Sequence, residues 1–593
     1  MRGGAVSGIL AGPHPTASTE APIPVKDAIS SLVSSALKSA IDSGELPLDV
    51  VPDPALERPR DSSHGDWATS VALRSSKAAG MNPRAIAEIV SARMAGHPDV
   101  DAVEIAGPGF INIRLSAAAL QRILRVAREQ GRDFGRVDLG TGKRVQVEFV
   151  SANPVGPMHV GHGRWAALGD SMARVLAHAG WNVEREFYIN DAGVQMEIFA
   201  KSVAARYLEL CGEADVVFEG NWYQGAYITD IAREIYSAEG VCWFDSDAIE
   251  RESHFKEQAY AQVLEHLKHV LSGMGVEFDV WFSERTLHEP GADGVTAIER
   301  GITALRDAGY IYELDGATWF RSTDFADDKD RVLIKADGEY TYFAADIAYH
   351  KNKFDRGFDR VINIWGADHH GYVARMKAAC SALGHEGQLD VVIGQLVNLF
   401  RNGEAVRMSK RTGEMVTFEE LLDEVGADAA RYWFLRRSTD QPVDFDIELA
   451  RTQSADNPVF YVKYAHARIC SIIRKATGNE FAEGPVTAAA LAAEFVPGDA
   501  DLSPLTEDAE LALMRKLSEF AEVVEAAARD LSPHKLTRYA EELAAQFHQF
   551  YTLCRVMTDD PALTTARLYA VDATRSALEA VLGLLGVGAP ERM

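Results

Sequence analysis

The sequence predicts a multidomain α/β protein: a small N-terminal α+β domain, a Rossmann-like parallel-sheet domain with insertions, and an all-α C-terminal bundle. Three observations carry this. The stretch Arg144–Ile189 reads strand, loop, helix, strand, a βαβ unit that implies a parallel sheet with a right-handed crossover. The segment before it mixes helical and strand-like patterning within a span of small-domain size. Beyond about Ala450 the periodicity is almost wholly helical. A chain of 593 residues has room for roughly two to four domains.

In chain order, residues 1–23 are rich in Gly, Pro, Ser and Thr and lack an apolar run, so they read as a flexible tail and not a signal peptide. Residues 24–115 form the first domain. Helical patterning covers Val25–Ser43 and Pro83–Met94, and Pro83 suits a first helical position. Gly107–Leu115 is a turn followed by strand-like alternation. Residues 116–143 read as a connector, a helix capped by Ser116 with Leu120, Ile123, Leu124 and Ala127 on one face. The parallel-sheet domain spans 144–449. Its β-rich Arg144–Val150 gives way to a Pro- and Gly-containing loop, Ser151–Met158. A helix follows to about Ala179, with Trp165, Leu168, Met172, Val175 and Leu176 at helical spacing and Gly180 as C-cap. Asp191–Leu333 reads as an insertion, and the α/β pattern resumes with Val361–Trp365 and Val391–Leu399. Residues 450–593 make the helical bundle. Ser532-Pro533 opens one of its helices, whose face carries Leu536, Tyr539, Leu543, Phe547 and Phe550. The Ala- and Glu-rich stretch Val486–Asp501 reads as a loop or linker.

Composition narrows the function classes. With 60 Lys and Arg against 87 Asp and Glu, the formal charge is −27, so the chain as a whole has no pull toward nucleic acid. A nucleic-acid partner would have to be held by local basic patches. The five cysteines form no Cys-x-x-Cys pair, which argues against a zinc knuckle and a disulfide framework and suits a reducing cytosol. A cytoplasmic location is expected. No apolar run approaches the roughly 20 residues that span a bilayer, so no membrane partner is expected.

Two motifs carry chemistry. The first is His159-Val-Gly-His162, within Ser151–His162, where a strand hands over to a helix. Free backbone N–H groups and the helix dipole favour an anion there. Gly161 lets a nucleotide approach the backbone, and His159 and His162 can donate to triphosphate oxygens. A zinc reading lacks a third ligand nearby. The second motif is Arg407-Met-Ser-Lys-Arg-Thr-Gly413, after an apolar run and an Asn402-Gly403 turn. Lys410 would serve as a point charge for a transferring phosphoryl group. His369-His370 could suggest a metal, but adjacent histidines point apart, and no metal site is expected.

Taken in this order, the two motifs resemble the two signatures of class I aminoacyl-tRNA synthetases. More specifically, the chain resembles the arginyl-tRNA synthetases over nearly its whole length. The resemblance rests on Glu148–His162, Tyr188–Gly193, Phe278–Glu284, Gly366–Tyr372, Gly426–Arg431, Tyr461–Arg468 and Ala589–Met593. Gly65–Thr69 and Gly107–Leu115 are similar to that family's extra tRNA-binding domain. Arg407 stands where the family usually has Lys.

The resemblance implies an arginine site at Glu148, Ser151, Asn153, Tyr342, Asp346 and Asp368. A guanidinium is a planar fork of donors and requires carboxylate or phenol acceptors. Asp346 and Glu148 are assigned to it, Asn153 and Asp368 to the α-amino end. ATP, the co-substrate, maps to His159, Gly161, His162, Gly366, His369, Met408, Ser409 and Lys410, with Mg²⁺ carried on the triphosphate; His159, His162 and Lys410 are the catalytic donors. The implied reaction is arginyl-adenylate formation with release of pyrophosphate, then transfer to the 2′-hydroxyl at the 3′ end of tRNA(Arg). The helical domain would bind the anticodon through Arg436, Arg437, Lys463, Tyr464 and Arg468. Arg431, Arg474, Lys475, Tyr461 and His466 lie nearby in the sequence as further candidates. Arg74, Lys77, Arg84 and Arg93, with Trp67 nearby, mark the N-terminal domain as a second tRNA contact. A monomer is expected. Two other readings stay open: a small-molecule nucleotidyltransferase with the same His-x-Gly-His turn, which needs no long helical domain, and an inactive paralogue that only binds RNA, which would not need His159, His162 and Lys410.

Overall fold

In a computed structural model, the structure describes residues 25–59, 61–406, 416–480 and 486–593. The chain divides into two compact units, residues 1–126 and 127–593. The first contains α1 (Val25–Asp42), β1 (Leu56–Glu57), β2 (Trp67–Thr69), α2 (Val71–Ala79), α3 (Pro83–Met94), β3 (Val100–Ala106) and β4 (Phe110–Leu115). Its four strands form an antiparallel sheet in the order β1-β2-β4-β3. The apolar stripes of α1 and α3 (Ile29, Val33, Leu37; Ile86, Val90) and Ile111 and Ile113 of β4 are fully buried or nearly so. Asn82 caps α3, its Oδ1 accepting from the Arg84 amide at 2.9 Å, with Pro83 in the first turn. Trp67 is 1% exposed, with the Arg58 guanidinium 4.3 Å above its ring; it is a core residue and offers no face to a base. α4 (Ala117–Gln130) starts under Ser116, whose Oγ accepts from the Ala119 amide at 3.2 Å.

The second unit is built on β5 (Arg144–Glu148), α5 (Val160–His178), β6 (Asn182–Ile189), α6 (Val194–Leu210), α7 (Ala226–Glu239), α8 (Ala248–Gly273), β7 (Val280–Ser283), α9 (Arg285–His288) and α10 (Ala297–Asp307). There follow β8 (Ile311–Leu314), β9 (Ala317–Phe320), β10 (Arg331–Ile334), α11 (Tyr342–Asp355), β11 (Arg360–Gly366), α12 (Val373–Ala382) and β12 (Leu389–Gly394). The central sheet is five-stranded and parallel throughout, in the order β12-β11-β5-β6-β7. Val145 and Val147 on one face and Gln146 on the other are all fully buried, as expected for a strand covered on both faces. From β5 the chain runs outward through β6 and β7, then returns to the other side of β5 as β11. The carboxyl ends of β5 and β11 therefore flank the switch point of the sheet, where open α/β sheets bind ligands.

Two expectations change here. The stretch Asp191–Leu333 is not wholly an insertion, because β7 completes the parallel sheet. Val391–Leu399 is not one strand: β12 ends at Gly394, and β13 (Val397–Arg401) starts a separate sheet with β14 (Glu404–Ala405) and β15 (Val443–Asp446). Asn402 and Gly403 both have positive φ, 53° and 79°, which suits the two-residue turn between β13 and β14.

The remaining elements are α13 (Phe418–Val425), α14 (Ala427–Leu435), α15 (Ile447–Arg451), α16 (Pro458–Ala476), α17 (Ala488–Phe495), α18 (Asp508–Ser518), α19 (Phe520–Arg529), α20 (His534–Leu553) and α21 (Pro561–Leu585). α17 overturns the loop expected over Val486–Asp501. Thr487 caps it, and Leu491 and Ala492 are buried, so a short helix forms where composition alone suggested a linker. One buried ionic group joins distant parts of this unit. Arg431, fully buried, donates to the Leu585 carbonyl at 3.0 Å, to the Met274 carbonyl at 3.2 Å and to Asp170. Asp170 also pairs with Arg174 at 2.7 Å and Arg185 at 3.4 Å.

Candidate active site

The loop after β5 leaves the strand through two residues in the left-handed region, Val150 (φ 68°) and Ser151 (φ 45°). Such conformations cost roughly 1–3 kcal/mol each and cluster at functional sites. They turn Ser151 back so that its Oγ donates to Glu148 Oε1 at 2.9 Å and accepts from the Tyr188 amide at 3.3 Å. Asn153 Nδ2 donates to Gln195 Oε1 at 2.6 Å. His159 is the N-cap of α5, with an extended backbone, and its N–H donates to His162 Nδ1 at 3.3 Å. The two imidazoles stack with centroids 3.7 Å apart, and Trp165 meets both edge-on. A Cβ at position 161 would come within 2.9 Å of His159 Cε1, so only glycine leaves this stack intact.

Gly366 ends β11, and its open side is bounded by Trp165 and by the Asp368 carboxylate. His369 and Asp368 are exposed, with His369 Nε2 3.5 Å from Asp368 Oδ2. Met408, Ser409 and Lys410 lie outside the described residues. The segment that leaves that motif is stitched to the first one: the Phe418 amide donates to the Met158 carbonyl at 2.9 Å, and His159 and Thr417 form an antiparallel bridge. Arg164, fully buried, fixes the start of α5 to the surrounding loops, donating to the carbonyls of Gln395, Ser438 and Gln441 at 2.6, 2.9 and 2.8 Å. Residues more than 250 apart in sequence thus share one edge of the sheet.

Beside this lies an acidic pocket. Tyr188, on β6, has its hydroxyl pushed far above its ordinary pKa by burial and by the charges of Glu284, Asp346 and Glu148. Asp346, one turn into α11, accepts from the Tyr372 hydroxyl. Burial pushes its carboxyl up to about 6, with Glu284 and Glu148 adding to the rise and the Tyr372 hydrogen bond opposing it. Glu284, just after β7 and 6% exposed, is also raised by burial, against the hydrogen bond from Tyr188. The structure thus brings Glu148, Ser151 and Asp346 together. Tyr342, at the first position of α11, is 79% exposed. Asp368 stands over Gly366 and beside His369. Sequence reasoning passed over Glu284 as the last letter of a motif; its place directly after a strand of the parallel sheet was the available signal.

Among the helical-domain candidates, Arg436 and Arg437 are exposed and line a cavity of about 280 Å³ with Trp433 and Gln441. Arg436 Nε pairs with Glu541 Oε1 at 3.0 Å. Arg468 donates to the Tyr464 hydroxyl at 2.9 Å and lies 4.8 Å from the centre of the Tyr551 ring. The rings of Tyr461 and Tyr464 lie 5.0 and 6.0 Å from that of His548. Lys463 pairs with Asp428. Three expected nucleic-acid contacts are overturned: Arg431, Arg474 and His466 are buried. Arg431 is the ionic hub described above. Arg474 pairs with Glu591, and His466 Nδ1 lies 2.9 Å from the Pro590 carbonyl, so both anchor the closing Ala589–Met593 segment. Among the described residues no three His, Cys, Asp or Glu side chains gather in a metal-binding group, and no helix is long and apolar enough to cross a membrane.

Three family descriptions cover most of the chain. Residues 27–115 match the arginyl tRNA synthetase N terminal domain, 124–444 the class I (R) tRNA synthetase catalytic domain, and 462–593 the DALR anticodon binding domain. The arginine–tRNA ligase of Heliobacterium modesticaldum is 48% identical over 572 residues, 96% of this chain and 99% of that protein. That of Moorella thermoacetica is 47% identical over 570 residues, 96% of this chain and 99% of that protein. The solved arginyl-tRNA synthetase of Thermus thermophilus shares the fold, with a TM-score of 0.70 and 23% identity, over 96% of this chain and all of that one. By its sequence over nearly its full length, this chain belongs to the arginine–tRNA ligases, class I aminoacyl-tRNA synthetases.

Proposed function

We infer that the cleft at the carboxyl ends of β5 and β11 is where this chain activates L-arginine with ATP and passes it to tRNA(Arg). The observation that carries this reading is the gathering of Glu148, Asp346 and Glu284 around Tyr188, beside the His159–His162 turn. A set of acceptors this close together suits the planar fork of a guanidinium, whose five donors a lysine or ornithine ammonium cannot match.

Asp346 and Glu148 receive the guanidinium, with Glu284 beside them and Tyr342 covering it from the first turn of α11. Asn153 and Asp368 hold the α-amino end, and Ser151 supports Glu148 through its hydroxyl. His159, Gly161, His162, Gly366, His369, Met408, Ser409 and Lys410 form the ATP site, with Mg²⁺ riding on the triphosphate. The arginine carboxylate attacks the α-phosphorus, the bond to pyrophosphate breaks, and His159, His162 and Lys410 stabilise charge on the phosphoryl oxygens. The terminal ribose hydroxyl of tRNA then attacks the adenylate carbonyl and releases AMP. Lys463, Tyr464 and Arg468 hold the tRNA on the helical domain, residues 450–593, with Arg436 and Arg437 just before it in the chain, and residues 24–115 hold it elsewhere. The enzyme acts as a cytoplasmic monomer.

The test is pyrophosphate exchange with purified, RNA-free protein. Exchange should need arginine, rise on adding tRNA(Arg), and stay at background with lysine or ornithine. Arginine-independent exchange would sink the reading.

A further inference from the structure

Lys353 lies two turns after Asp346 on the same face of α11 and is fully buried, a costly place for an ammonium unless its hydrogens are used. Its Nζ donates to Glu148 Oε2 at 2.6 Å and to Asn363 Oδ1 at 3.0 Å, and lies 4.3 Å from the centre of the Tyr349 ring. The other Glu148 oxygen is taken by Ser151. Beyond Asn363 the polarity is fixed step by step. His350 Nδ1 lies 2.8 Å from the Asp346 carbonyl, so it carries the proton and Nε2 accepts. Asn363 Nδ2, 2.7 Å from that Nε2, donates to it, which turns Asn363 Oδ1 toward Lys353. Burial and Lys353 push the imidazole down to about 3, so it stays neutral. Lys353 therefore donates two ways, to the Glu148 carboxylate and into a directed chain through Asn363 and His350 to the backbone of Asp346.

We propose that Lys353 is a positioning residue for arginine activation, clamping the Glu148 carboxylate in one orientation and tying it through Asn363 and His350 to the turn that carries Asp346. It also sets the charge of the pocket. It pairs with Glu148, one of the three carboxylates around Tyr188, and leaves Asp346 and Glu284 without a lysine partner of their own for the two positive groups of arginine. The proposal rests on the reading of Glu148 as a substrate-binding residue.

The test is arginine-dependent pyrophosphate exchange in the presence of tRNA, with the full chain as Lys353→Met, Glu148→Gln and the double variant. Lys353→Met should raise the arginine KM by roughly tenfold or more and leave the ATP KM within about twofold, since a buried charge pair is broken on the arginine side alone. In Glu148→Gln, Lys353 already has no carboxylate to hold, so adding Lys353→Met should leave the arginine kinetics of the double variant within about twofold of Glu148→Gln. Multiplying effects, or arginine and ATP KM rising together, overturn the proposal. Normal arginine kinetics in Lys353→Met beside an impaired Glu148→Gln overturn it alone; normal kinetics in Glu148→Gln overturn it together with the reading of Glu148. Should Lys353→Met fail to fold, Glu148→Gln and the double variant, which keeps no unpaired charge, decide the matter by the same comparison.

Discussion

Replacing Asp346 by Asn should move stability and arginine affinity in opposite directions. The carboxyl is shifted from 3.8 to about 6, burial being the first cause. The folded pKa lies above the unfolded one, so the stabilising effect of the bound proton is complete below about pH 3.8 and lost as pH rises through about 6. The difference, 6 − 3.8, is about 2 pH units, or about 3 kcal/mol of cost carried by the ionised folded protein above pH 6. Asn carries no charge and escapes that cost. The substrate-free variant should be more stable at pH 8 by up to about 3 kcal/mol, less whatever the hydrogen bond from Tyr372 contributes. Arginine should meanwhile bind about 2–5 kcal/mol more weakly, at least about 30-fold in KM, because a charged acceptor is lost from a desolvated pair. In the wild type the arginine kcat/KM should fall about tenfold per unit below pH 6, as protonation removes the acceptor; the variant should lack that limb. Denaturant unfolding at pH 8 and exchange kinetics from pH 5 to 8 measure both sides. A variant less stable than wild type at pH 8, or one with an unchanged arginine KM, refutes the reasoning.

Two further outcomes are expected. Glu284→Gln should raise the arginine KM by an amount comparable to Asp346→Asn and leave the ATP KM alone; unchanged arginine kinetics in steady state would remove Glu284 from the pocket. Lys410→Ala should slow single-turnover adenylate formation roughly 10²–10³-fold, as for loss of one charge-stabilising donor, and adenylation at the wild-type rate would show that Lys410 does not serve the phosphates.

What the sequence revealed was local. The run Arg144–Ile189 spells out its βαβ unit in consecutive residues, and Ser116, Pro83, Gly180 and Asn402-Gly403 each mark a boundary by their own conformational preference. Long-range pairing was not legible in the same way. Arg431 and Arg474 look like solvated cations at helical spacing; only Asp170 and Leu585, or Glu591, far away in the chain, make them interior residues. β7 reads as part of an insertion because its partner, β6, lies some 90 residues earlier, across three helices. In the pocket, Asp346 and Glu148 were recognisable through the family's motifs. Glu284 and Lys353 were not, because their significance comes from facing Tyr188 and Glu148 across the sheet.

The hub at Arg431 ties the order in which the chain is made to the order in which its core can close. Its guanidinium is enclosed by Asp170 on the crossover helix, Met274 at the end of α8 and Leu585 on the last helix. A ribosome that has released residues up to about 560 has made every strand of the parallel sheet, yet the Leu585 carbonyl has not been translated. Until it arrives, a buried cation lacks one acceptor and the burial is costly. Glu591 and Pro590 then secure Arg474 and His466 in the same step. A chain cut short within α21 would thus keep Arg431 buried with one fewer acceptor.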